Sequence, residues 1–106
     1  MNQEKTAQGI EKLQMLEQSL QNNISQRVGF QENKAEIENA ISELSNSEEC
    51  YKIVGNLIVK SNKQKQIDEL DKQLKIVNSR ILALKKNEDL LKEKINNIRK
   101  DVANKV

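Results

Sequence analysis

Histidine and proline are absent from this 106-residue chain, aromatic residues make up 2% of it, and it holds one cysteine. Each shortage excludes something. Without histidine, neither imidazole acid–base catalysis nor a histidine metal site is available. A lone Cys50 closes no internal disulfide and suits a reducing compartment; its plainest role is that of a small apolar residue beside a strand. One Tyr and one Phe leave a globular core poorly supplied, because large aromatics carry much of the area that a compact core buries. The three glycines, Gly9, Gly29 and Gly55, build no phosphate-cradling loop. Nowhere do about 18 apolar residues run together, so no membrane span is expected. The first residues, Met1-Asn2-Gln3-Glu4-Lys5, lack the apolar stretch of a secretion signal. The expectation is a cytoplasmic protein with no cofactor, no metal and no enzymatic constellation.

What is present is charge and helix-forming side chains. Charged residues make up 32% of the chain, and it is rich in Lys, Glu, Gln, Leu and Ile, which favours long solvated helices. Net charge is +2 but unevenly placed: residues 1–49 carry nine acids and four bases, residues 50–106 seven acids and fourteen bases. A nucleic-acid surface is one reading of the basic half. The basic residues are, however, interleaved with Asp68, Glu69, Asp71, Glu88, Asp89, Glu93 and Asp101, and no aromatic flanks them for base stacking. An acidic segment packing on a basic one within the same chain is the better reading, with no nucleic-acid partner.

Apolar residues in the second half fall at Ile67, Leu70, Leu74, Val77, Ile81, Leu84, Leu91, Ile95, Ile98 and Val102. Steps of three and four alternate, broken where Glu88 takes the apolar place, and such a stripe faces a partner helix in a coiled coil. Ser61 and Gln64 have capping-box spacing, so Ser61 is expected to cap a helix over about 63–103, roughly 60 Å long at 1.5 Å per residue. The first half is helical over about 4–45. Its stripe runs Ile10, Leu13, Leu16, Leu20, shifts round the helix at Ile24 and Val28, and ends Phe30, Ile37, Ala40, Ile41, Leu44. Gly29 is a weak point in it, and Ser45-Asn46-Ser47 breaks the pattern.

The stripes match in reverse. Leu44 with Ile67, Ile37 with Leu74, Phe30 with Ile81, Leu20 with Leu91, Leu16 with Ile95 and Leu13 with Ile98 each have numbers adding to 111, as an antiparallel pair of helices requires. Asn23, Arg27 and Glu88 fall at or beside the seam as a polar layer that fixes register. Between the helices, over residues 49–61, lie two runs rich in Tyr, Ile and Val around Gly55-Asn56, a two-residue hairpin turn. The register expected is Val54 opposite Leu57, Ile53 opposite Ile58, Lys52 opposite Val59 and Tyr51 opposite Lys60. An isolated two-stranded hairpin is marginal in water and leaves both edges open, so these strands are expected to pair with strands of other chains.

The run Cys50-Tyr51-Lys52-Ile53-Val54-Gly55-Asn56-Leu57-Ile58-Val59-Lys60 resembles the signature of the β-class of the prefoldin family, roughly Y-K-x-V-G-x-x-x-V, and it sits between matching heptad arms. The resemblance implies one prefoldin-like domain over residues 1–106, mainly α, in which an antiparallel coiled-coil hairpin is joined by one short β-hairpin. Tyr51, Ile53, Val54, Gly55, Leu57, Ile58 and Val59 would then join the hairpins of other subunits in a β-barrel platform. It further implies a hexamer of two α-class and four β-class subunits that holds unfolded polypeptide without ATP and passes it to a group II chaperonin.

At the ends of the helices remote from the strands, terminal residues have few packing partners. Ile10, Leu13, Leu16, Ile98, Val102 and Val106 are the candidate client contacts there, with Met15 beside them as an adaptable side chain. Ile76, Leu82 and Leu90 lie off the seam as scattered surface residues. The rival readings are a structural coiled-coil tether without chaperone activity and a nucleic-acid-associated coiled coil.

Overall fold

The computed structural model describes the backbone over residues 2–105 and the side chains over residues 6–104. In chain order there are a helix α1 (Asn2–Asn46), strands β1 (Cys50–Val54) and β2 (Leu57–Ser61), and a helix α2 (Lys63–Lys105). The helices overrun the expected ends by one or two residues, as proline-free flanks of Asn, Gln, Ala and Lys permit. α1 continues through Gly29 without a break.

The strands pair antiparallel in the expected register, Cys50 to Ser61 at one end and Val54 to Leu57 at the other. Gly55 makes the turn possible: its φ is +60°, a conformation that a Cβ disfavours.

Cap assignment differs from expectation. Asn62, not Ser61, caps α2: the Lys65 N–H donates to Asn62 Oδ1 at 3.1 Å, while the Asn62 carbonyl accepts the first helical bond from Gln66 N–H at 3.1 Å. α2 begins at Lys63, so Ser61, the last residue of β2 opposite Cys50, lies one place ahead of the cap position. Its hydroxyl accepts from Gln66 Nε2 instead, and Gln64 turns away to donate to Asp68 Oδ1. α1 has no basic residue in its last turn. Lys63, the first residue of α2, supplies that charge, donating through Nζ to the carbonyls of Ser45 (2.9 Å) and Ser47 (2.8 Å). A cation on the orphan carbonyls of a helix end offsets the negative pole of the helix dipole.

Two compact units are present. Residues Gly29–Ile81 form one, cored on Ile37, Val77 and Ile81, with Phe30, Ile41, Leu70 and Leu74 packed against them. That cluster contains both members of the expected pairs Ile37–Leu74 and Phe30–Ile81. The other unit joins the described residues before Gly29 with those after Ile81. Leu91 and Ile95 are buried in it, Leu13, Leu16, Leu20, Leu84, Ile98 and Val102 are half-buried, and Val28 is exposed where the stripe shifts. Among the described residues no large side chain is fully shielded from solvent, as a core one stripe wide dictates.

Asn62→Ala should lower stability by about 1 kcal/mol, and Ser61→Ala by less, in urea unfolding at fixed protein concentration. A larger loss for Ser61→Ala than for Asn62→Ala would reverse the cap assignment.

Candidate functional site

Tyr51, Ile53, Val54, Leu57, Ile58 and Val59 are all exposed, Ile53 at 75% and Ile58 at 72%. Alternation along the strands and the observed register put Tyr51, Ile53, Ile58 and Lys60 on one face and Cys50, Lys52, Val54, Leu57, Val59 and Ser61 on the other. Cys50 alone of these is buried. Both faces therefore carry bare apolar side chains, and a two-stranded sheet offers two unpaired edges. Covering one Val, Leu or Ile fully is worth about 1.5–3 kcal/mol, so the five of them here, with Tyr51, amount to a strong drive to be covered. The Tyr51 hydroxyl donates to Glu49 Oε2 at 2.6 Å. That bond to a carboxylate, and secondarily some loss of hydration, holds the phenol above its ordinary pKa.

Asn23 and Glu88 are the buried polar residues among the described ones, and no buried side-chain polar atom there lacks a hydrogen-bond partner. Asn23 Nδ2 donates to the Leu84 carbonyl at 2.8 Å, and Asn23 Oδ1 accepts from Asn87 Nδ2 at 2.8 Å. Arg27 grips Glu88 with two bonds, Nε to Oε2 at 3.1 Å and Nη2 to Oε1 at 3.3 Å. Lys92 Nζ lies 3.8 Å from Glu88 Oε1. Both carboxylate oxygens are committed to these bonds across the seam, so the layer orders the helix pair. Sequence reasoning found Asn23, Arg27 and Glu88 but missed Asn87. The i, i+4 spacings Asn23–Arg27 and Glu88–Lys92 place polar groups on one face of each helix and mark the layer, but they carry no signal for Asn87.

At the chain-terminal end of the same unit, Ile10 is exposed while Leu13, Leu16, Ile98 and Val102 are half-buried. Val106 lies outside the described residues. Leu16 and Ile98 line a shallow groove of about 340 Å³ with Lys12, Lys94 and Asn97. Ile98 and Val102 line an adjoining one of about 280 Å³ with Lys12, Gly9 and Asp101. Gly9 permits a close approach here, since a Cβ would lie 3.0 Å from Val102 Cγ2. Met15, Ile76, Leu82 and Leu90 are exposed. Among the described residues no group of acidic or cysteine side chains is placed to hold a metal, and no helix is long and apolar enough to cross a membrane.

Glu88→Ala leaves a mostly shielded guanidinium without its carboxylate and should cost about 2 kcal/mol in urea unfolding. Arg27→Leu combined with Glu88→Leu should recover most of that loss. The raised Tyr51 pKa means that the folded chain holds the phenolic proton more tightly than the unfolded chain. Its contribution to stability is complete below the unfolded value of about 10 and is lost as pH rises through the folded value. Phenolate absorbance, which Tyr51 alone supplies, should therefore appear at higher pH in this chain than in its Glu49→Gln variant.

Residues 7–106 match the family model described as prefoldin subunit. The prefoldin subunit beta of Archaeoglobus fulgidus is 34% identical over 88 residues, covering 80% of this chain and 76% of its own length. That of Thermococcus onnurineus is 36% identical over 86 residues, covering 78% of this chain and 74% of its own. The crystal structure of the prefoldin beta subunit from Thermococcus strain KS-1 superposes with a TM-score of 0.87 at 28% identity, over 92% of this chain and 89% of that one. The beta2 subunit of the same strain shares the fold, with a TM-score of 0.72 at 20% identity. With two long helices joined by a single antiparallel β-hairpin, and a match over nearly its whole length, the chain belongs to the prefoldin subunits, a family of non-enzymatic chaperone subunits.

Proposed function

We propose that this chain is a β-class subunit of an ATP-independent holdase acting in the cytoplasm. Its hairpin joins those of α-class subunits and of further β-class copies, two and four in number, in a β-barrel platform. The complex holds unfolded polypeptide at the chain-terminal ends of its helices and delivers it to a group II chaperonin. The observation that carries this reading is the hairpin: six exposed apolar side chains on both faces of a sheet with two open edges. Such a surface demands permanent partners of matching strand geometry. The relatives that match it are each a prefoldin subunit beta.

Client holding is supported by the grooves at the other end of the chain. Ile10 is exposed there, and Leu16, Ile98 and Val102 present partly covered apolar surface in shallow, open grooves. Covering apolar client surface yields roughly 25 cal/mol per Å², and several arms acting on one client multiply through effective concentration. Nothing in that chemistry calls for nucleotide.

The test uses the complex assembled with an α-class partner and a denatured protein whose aggregation is followed by light scattering. Removing residues 1–12 and 98–106 should abolish most of the suppression while the mass of the complex falls only by the residues removed. Undiminished suppression by the truncated complex would refute a grip at these ends, and no suppression by the intact complex would make it a structural assembly.

A further inference from the structure

We propose that the chain-terminal grooves select apolar client segments flanked by carboxylates, through Lys12 on α1 and Lys94 on α2. The inference rests on the client-holding reading above and adds a charge preference to it.

The two sides of the helix seam in this unit differ electrostatically. On one side the cations are already occupied: Arg99 Nη2 donates to Glu17 Oε1 at 2.7 Å, and Lys92 lies 3.8 Å from Glu88. On the other, Lys12 and Lys94 stand over the groove whose apolar lining is Leu16 and Ile98. Both lysines are exposed, and among the described residues neither has an ion-pair partner. The adjoining groove shares Lys12 and Ile98, and Asp101 is the one carboxylate lining either of them. The grooves thus run from a segment with two unpaired ammonium groups to one where a carboxylate stands beside Val102.

Lysine stems can line an apolar floor while the ammonium stays in water. A client side chain seated on Leu16 and Ile98 displaces water between those ammonium groups, which strengthens their attraction for carboxylates on flanking client residues. A client segment flanked by lysines meets two like charges at the same place. The preference is small for one arm and grows when several arms grip one chain.

The assembled complex is titrated against fluorescent peptides that share one apolar centre and differ in flanks: Asp and Glu, Ser, or Lys. Anisotropy at low salt should show the acidic-flanked peptide binding about fivefold tighter than the serine-flanked one, a gap that closes at high salt. The gap should vanish in Lys12→Gln/Lys94→Gln and persist in Lys72→Gln/Lys75→Gln, whose exposed lysines lie in the other unit. Equal affinity for all three peptides would overturn charge selection and leave client holding intact. Failure to bind any of them would overturn both. A single-stranded oligonucleotide that binds as tightly as the acidic peptide, and loses that binding in Lys12→Gln/Lys94→Gln, would overturn the peptide assignment in favour of phosphate.

Discussion

The two-residue turn at Gly55-Asn56 is the constraint on which the pairing of this chain depends. Its left-handed glycine places Val54 against Leu57, and every further pair in the hairpin then has numbers adding to 111. The same sum joins Gly9 to Val102, and Ile37 to Leu74 and Phe30 to Ile81 among the residues that pack together. Turn chemistry and helix stripes therefore specify one register independently. An extra residue in the turn would flip the strand faces and, carried into one helix, rotate its apolar stripe by about 100° relative to its partner. Agreement between local and longer-range choices of this kind separates the native pairing from its competitors.

A narrow apolar stripe alone discriminates poorly between registers, because sliding one helix by a heptad brings Leu and Ile opposite Leu and Ile again. The layer at Asn23, Asn87, Arg27 and Glu88 removes that degeneracy. Its donors and acceptors meet only in the observed register: the Asn23 amide reaches the Leu84 carbonyl and Asn87, and the Arg27 fork reaches Glu88. In a slipped pair the shielded Glu88 would face apolar side chains and lose its compensation, at a cost of several kcal/mol. A hydrophobic pair in its place would be nearly as stable and would specify less. Lys63 acts at the other end of each helix, where its ammonium holds the last carbonyls of α1 while its own backbone opens α2.

Periodicity was enough to read both helices and their reverse match, and Gly55-Asn56 was enough to read the hairpin and its register. The polar layer was legible in part, because Glu88 interrupts an otherwise regular stripe. Asn87 was not, since its partner is decided by azimuth between two helices and not by spacing within one. Ser61 shows how a correct local pattern loses to a longer-range demand. Its capping-box spacing is real, yet the residue closes the ladder opposite Cys50 and the first helical turn starts one residue later than that spacing implies, which puts Asn62 at the cap position. Side-chain coverage at the chain-terminal end was equally hidden. Ile10 and Leu13 belong to one stripe, but Ile10 is exposed and Leu13 half-buried, a difference that spacing along one helix does not carry.

The hairpin and the grooves place opposite demands on association, and their composition reflects it. Across ten strand residues the hairpin carries two charges, Lys52 and Lys60, and six bare apolar side chains. Its edges offer directional backbone bonds that only another strand can complete. Contacts of that kind dissociate slowly and favour a fixed partner. The grooves have half-covered floors of two apolar residues, polar rims that include Lys12, Lys94, Asn97 and Asp101, and no open backbone ladder. On the proposed reading, a client there would gain little from any one contact and adopt no required conformation, so it would leave as readily as it arrives. Under the proposed holdase function, permanent assembly through the strands would make that weakness useful, because arms held on one platform could each grip loosely and still retain an unfolded chain together.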